Sequence, residues 1–235
     1  MEETLEQTGV TDGLVGMMNV FVDPATTAKK VPSKLSWLWP VIVLLIGYTI
    51  VSYLIIPYAM QLMDVKMAER SMPPEQLEKA RSVAHAMAKY SAPVTPIFRI
   101  GVLALFALLI KGMYSVMNVR PRFRDVFSLL AACSLIPLIE AIATYVVIHS
   151  KGDEITTAEQ LAPPFGLDLL LPSVKGVLFA FVHFFSIFEI WYLVVLALGL
   201  AYLTHSSKAK AFIAITPAWL LPLLFAMIGG AFNKS

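Results

Sequence analysis

Two apolar runs, Ile97 to Val119 and Val126 to Ile148, are joined by the basic connector Arg120-Pro-Arg-Phe-Arg124. Each run is long enough to cross a bilayer as a helix. Three arginines in the connector hold it in water, so the pair reads as a transmembrane hairpin. The composition agrees: 58% of the chain is hydrophobic and 14% charged, against about a quarter charged in soluble domains. Basic and acidic residues number 18 and 16, too even a balance for a nucleic-acid-binding stripe. The single cysteine, Cys133, lies inside an apolar run and excludes a disulfide framework.

Around the hairpin the chain reads as an all-α, five-span bundle. Residues 1–36 form a cytoplasmic lead-in and 37–232 the membrane domain. In the lead-in, Leu14, Met17, Met18 and Phe21 keep helical spacing, and Asp23-Pro24 caps a second short helix that runs to Val31. Both suit a membrane interface. Trp37 and Trp39 open the first span, 37–60, as aromatic anchors. Pro73-Pro74 precedes an extracytoplasmic amphipathic helix whose stripe is Leu77, Ala80, Ala84 and Met87, expected to pack on the protein's own spans. The hairpin supplies spans 97–119 and 126–148. Prolines break the stretch from Pro163 to Pro172 into interfacial pieces, and spans 186–204 and 211–232 complete the count.

Lysine and arginine set the orientation. Lys29 and Lys30, then Arg120, Arg122 and Arg124, then Lys208 and Lys210 all flank one side of this arrangement, while the loops on the other side mix signs or are acidic. The amino terminus is therefore expected in the cytoplasm and the carboxyl terminus outside.

Ionisable groups within spans are costly and are candidate functional sites. At about 1.5 Å per residue, Arg99 falls roughly 3 Å, Glu189 roughly 5 Å and Glu140 roughly 10 Å inside the outer ends of their spans. An arginine side chain covers that difference, so the three can form one outer-leaflet cluster. An ion path, an anionic-headgroup site and a structural fastening all fit it. No H-E-x-x-H pattern, nucleophile elbow or phosphate loop occurs, so no catalytic, metal or cofactor residues are assigned and no enzyme is expected.

Two stretches resemble the bacterial Yip-domain family. Asn19-Val20-Phe21-x-Asp23-Pro24, followed by Trp37-Leu-Trp-Pro40, is similar to its opening motif, and Ile187 to Leu200 to its fourth span. The likeness runs from about Leu14 to Phe232. It implies a multi-pass protein of the bacterial cell (inner) membrane acting as a non-enzymatic accessory or scaffold. Its partners would be other integral membrane proteins, an ABC-type exporter and its adaptor among them, met through the spans and the lead-in residues Asn19, Phe21, Asp23, Pro24, Trp37 and Trp39. The Asp-Leu-Tyr-Gly-Pro motif of eukaryotic relatives is missing, so the resemblance carries no GTPase partner over. Proline-broken outer pieces and Gly229-Gly230 offer surfaces for a homo-oligomer. The alternative is a small transporter or lipid-moving protein built on Arg99, Glu140 and Glu189.

Overall fold

A computed structural model describes residues 19–31, 37–69, 73–152, 155–171 and 176–232. The helices are α1 (Pro24–Lys30), α2 (Leu38–Glu69), α3 (Pro74–Val116), α4 (Phe123–Cys133), α5 (Leu135–Lys151), α6 (Gly176–Phe184), α7 (Ile187–Leu203) and α8 (Lys208–Phe232), with short 3-10 turns at Ala158–Leu161 and Leu167–Leu170. No strand occurs among the described residues, and extended pairing is limited to one antiparallel bridge between Gly166 and Ser186. Four helical stretches are long and apolar enough to cross a membrane: Leu38–Ala68, Glu75–Val116, Phe123–Lys151 and Lys208–Ile228. The apolar α7 is shorter, at 17 residues.

The helices divide between two compact units. The first comprises the described residues within Met1–Leu44, Ile100–Pro137 and Phe165–Ser235. Here α1 packs along α7 and against α4, α4 lies against α7, and α8 packs on both α6 and α7. Ile110, Tyr114, Leu129, Leu130, Ile136, Leu196 and Leu200 fill the core. Gly199 permits the approach of α7 to α4, since a Cβ there would sit 3.0 Å from a Leu129 methyl. The α4 helix ends at Ser134, four residues after Leu130, whose carbonyl accepts both the Ser134 amide at 2.9 Å and its hydroxyl at 2.8 Å. Pro137 lies just beyond this break and brings no N–H to repair it.

The second unit comprises the described residues within Leu45–Arg99 and Leu138–Pro164. Met60 and Met67 of α2 bury against Ala84 of α3, with Leu77, Ala80 and Ala88 packed alongside. Arg81 Nε donates to Asp64 Oδ1 at 2.7 Å beside that seam. Gly47 faces Leu138 so closely that a Cβ would come within 2.7 Å of its methyl.

Several boundaries depart from the expected ones. The first span continues through Pro57 to Glu69, and the amphipathic helix and second span are a single helix of 43 residues. At about 1.5 Å per residue, α3 reaches roughly 65 Å, twice the thickness of a hydrocarbon core. Pro93 and Pro96 lie inside it without ending it. A proline deprives the carbonyl four residues earlier of its helical donor; that carbonyl at Lys89 accepts the Tyr53 hydroxyl instead, at 3.5 Å. The third span is broken into α4 and α5 at Ser134. Of the expected amphipathic stripe, Leu77, Ala80 and Ala84 pack inward, but Met87 is 67% exposed and Ala88 takes its place. The expected first lead-in helix lies mostly outside the described residues.

Candidate functional site

Each element of the lead-in motif has a local task. Asn19 turns the chain, its carbonyl accepting the amides of Val22 at 3.1 Å and Asp23 at 2.7 Å. Asp23 then caps α1: its carboxylate accepts the Thr26 hydroxyl, and the Thr26 amide at 3.1 Å. These bonds, the hydroxyl first, hold the Asp23 carboxyl below the usual carboxylate range. Pro24 fills the first helical position, where no N–H is required. The capped helix buries Thr27, Ala28 and Val31, together with Val20 before it. Phe21 meets the Trp191 ring at 5.8 Å near the start of α7, while Lys29 Nζ lies 5.5 Å over the Tyr202 ring near its end. The lead-in thus runs alongside α7 in the same direction, and Val22 is left 88% exposed. Trp37 and Trp39 are half-buried at the start of α2.

A second feature is the junction between α6 and α7. Non-helical backbone beside spanning helices must satisfy its polar groups within the protein. Here the Leu167 amide donates to the Phe185 carbonyl at 3.1 Å and the Ile187 amide to the Phe165 carbonyl at 3.2 Å. Gly166 is required at the crossing, because a Cβ would lie 2.2 Å from Asp168 Oδ1 and 2.8 Å from the His183 carbonyl. His183 Nδ1 and Asp168 Oδ1 pair at 3.0 Å, fastening the 3-10 turn to α6, and the imidazole stacks on Phe179 at 5.3 Å. Ser186 caps α7 by accepting the Glu189 amide at 3.0 Å. The Glu189 carboxylate accepts the Trp219 indole N–H at 2.8 Å. Phe184 and Phe185 enclose that indole edge-on, at 5.6 Å and 5.4 Å.

Glu189 belongs to the first unit and bonds Trp219; Arg99 and Glu140 belong to the second. The exposed Arg99 lays its guanidinium 4.4 Å over the Tyr48 ring, a cation–π geometry. Glu140 is half-buried, and its backbone carbonyl accepts the Thr144 hydroxyl at 2.8 Å. Arg120, Arg122, Arg124, Lys208 and Lys210 are all exposed; Lys30 ends α1. No grouping of three or more His, Cys, Asp or Glu side chains suited to a metal ion occurs among the described residues.

Sequence reading overlooked Asp168 paired with His183, and Tyr58, whose hydroxyl lies 2.7 Å from His149 Nδ1 under the stacked Tyr145 ring. The first pair carried one local signal, the Gly-Leu-Asp turn at Gly166. Ser186-Ile-Phe-Glu189 is also a capping-box sequence, and it marks the start of α7.

No curated protein and no solved structure matches the chain significantly. A family model described as the Yip1 domain matches residues 18–230, from the residue before the lead-in turn to the last helix. The chain therefore belongs to the Yip1 domain family, membrane proteins that interact with other proteins.

Proposed function

We propose that this chain is a non-enzymatic accessory or scaffold protein of the bacterial cell membrane, with five spans, a cytoplasmic lead-in and an external carboxyl terminus. Family membership over nearly the whole chain is the observation that carries the reading. The span that brings the count from four to five is α7, fourth in chain order, whose 17 residues are at the short end of the spanning range, about 17 to 25. On this reading residues 1–36 are the lead-in and 37–232 the membrane domain.

The partners are other integral membrane proteins, and an ABC-type export assembly is the particular partner proposed. Val83, Met87, Tyr90 and Val94, 57% to 73% exposed, recur at steps of four, three and four along α3. That is the spacing by which one helix receives another. Val22 offers a second contact on the lead-in, beside Asn19, Phe21 and Asp23.

A photoreactive side chain at Met87 or Val22, activated in intact membranes, tests this reading. It should join the chain to another integral membrane protein, and a control at the exposed Val146 should not. Crosslinks only to lipid from Met87 and Val22 would overturn it.

A lipid-moving or transport function is the second reading, favoured by the exposed Arg99 guanidinium over Tyr48. It predicts that neutralising Arg99 or Glu140 abolishes flux in proteoliposomes while the protein remains folded. Unchanged flux would remove it.

A further inference from the structure

Basic residues that are far apart in sequence meet at one end of the first unit. At the close of α3, the fully buried Tyr114 brings its hydroxyl to 3.5 Å from Ser206 Oγ, in the turn between α7 and α8. Ser206 in turn bonds Thr204 Oγ1 at 2.8 Å. The segment that carries Arg120, Arg122 and Arg124 leaves α3 directly after this contact. Lys208 and Lys210 begin α8 just after Ser206. Lys29 arrives from the lead-in, over Tyr202, which lies two residues before Thr204. Across α1, the connector to α4 and the first turns of α4 and α8, six cations in the described side chains face one carboxylate, Asp125.

We propose that this end of the protein is a binding surface for the headgroups of anionic phospholipids. The charge complementarity is direct, and the location supplies the ligand. These cations border helices long enough to span the bilayer, so the headgroup layer is the anionic material beside them. Clusters of four to eight lysines and arginines next to a span attract anionic lipid. All six are exposed, and three separate chain segments contribute, so the surface exists only in the folded unit. The inference is independent of which leaflet this end faces and of the identity of any protein partner.

The test uses the full-length protein in phosphatidylcholine vesicles containing a trace of spin-labelled phosphatidylglycerol or spin-labelled phosphatidylcholine. The fraction of label held at the protein surface is then compared. Phosphatidylglycerol should associate about fivefold more strongly, and the preference should fall as salt is raised. Arg120→Gln with Arg122→Gln, or Lys208→Gln with Lys210→Gln, should each remove part of it, and the four together should remove it. Arg120→Lys with Arg122→Lys should keep it. Lys79→Gln with Arg81→Gln, which alters ion pairs of the second unit, should leave it unchanged. Equal association of the two lipids with the unaltered protein would overturn the proposal, as would a preference insensitive to salt or one that survives the four substitutions. Equal association combined with capture of added polyglutamate would assign the surface to an acidic protein instead. The salt series needs no variant, so it decides the matter even if a variant fails to fold.

Discussion

The Trp219 indole donates to Glu189 Oε1 across 2.8 Å, tying the middle of α8 to the first turn of α7. Glu189 is held on its other side too, since its amide is the donor that Ser186 accepts. The carboxylate thus takes part in the α7–α8 pairing, one turn from the α6–α7 break. Trp219→Phe keeps the aromatic packing on Phe184 and Phe185 and removes the donor. In a double-mutant cycle with Glu189→Ala, which removes the acceptor, measured by reversible unfolding in detergent, the coupling should be about 1 kcal/mol, within the range found for polar pairs between membrane helices. A coupling near zero would mean that the bond contributes nothing to holding α7 on α8.

Gly166 and Gly112 should respond in opposite directions to alanine. At Gly166 the added methyl would meet the His183 carbonyl at 2.8 Å and its Cα at 3.1 Å, backbone atoms that cannot rotate away. Gly166→Ala should cost about 1 to 3 kcal/mol, the usual range for overpacking, and should free the Asp168 side of the His183 pair. At Gly112, inside α3, nothing lies within 4 Å of the Cβ position. Gly112→Ala should be neutral or stabilise by up to about 1 kcal/mol through helix propensity. Thermal unfolding of the two variants side by side checks both signs.

What could be read from the sequence divides along physical lines. Asp23-Pro24 and Pro73-Pro74 mark helix starts through chemistry local to each residue, and both starts are where they were expected. The membrane class follows from run length alone. Breaks inside apolar runs were harder to see. Pro93 and Pro96 leave α3 intact, while the α4–α5 break at Ser134 occurs three residues before Pro137; neighbouring groups decide whether a freed carbonyl finds a donor. Depth arithmetic ranked Arg99, Glu140 and Glu189 along the membrane normal, but it carried no information about direction around each helix. Direction is what gives Glu189 to Trp219 and Arg99 to the Tyr48 ring. The Asp168–His183 pair depends on a 3-10 turn crossing a helix end, which leaves no periodic trace.

Asp23 makes the docking of α1 dependent on pH. Its carboxyl is held below the ordinary range by the Thr26 hydroxyl and amide, so folding favours the charged form. The contribution is complete above the unfolded value, near about 4, and is lost as pH falls through the lower folded value. The protection of the Thr26 amide, its exchange taken relative to the intrinsic rate at each pH, should therefore fall below about pH 4. Asp23→Ser keeps a capping oxygen and should flatten that profile, whereas Asp23→Ala should raise exchange at every pH. A profile for Asp23→Ser identical to that of the unaltered chain would show that another group controls the lead-in.

Whether α7 crosses the membrane can be read from the two chain segments at its ends. Leu170, 76% exposed, precedes α6 and α7, and the exposed Ser207 follows α7. If α7 spans, a membrane-impermeant maleimide added to sealed, oriented vesicles should label Leu170→Cys and Ser207→Cys from opposite faces. If it does not, one face should label both. The native thiol does not interfere, because Cys133 is completely buried in α4. Arg122→Cys supplies the reference. Tyr114 and Ser206 approach each other across the two turns, so Arg122→Cys should always label from the same face as Ser207→Cys. With α7 spanning, Arg122→Cys and Ser207→Cys should be reached from the cytoplasmic face and Leu170→Cys from outside. Labelling of all three from one face would mean that neither α7 nor the α4–α5 stretch crosses, leaving α2, α3 and α8 as the spans.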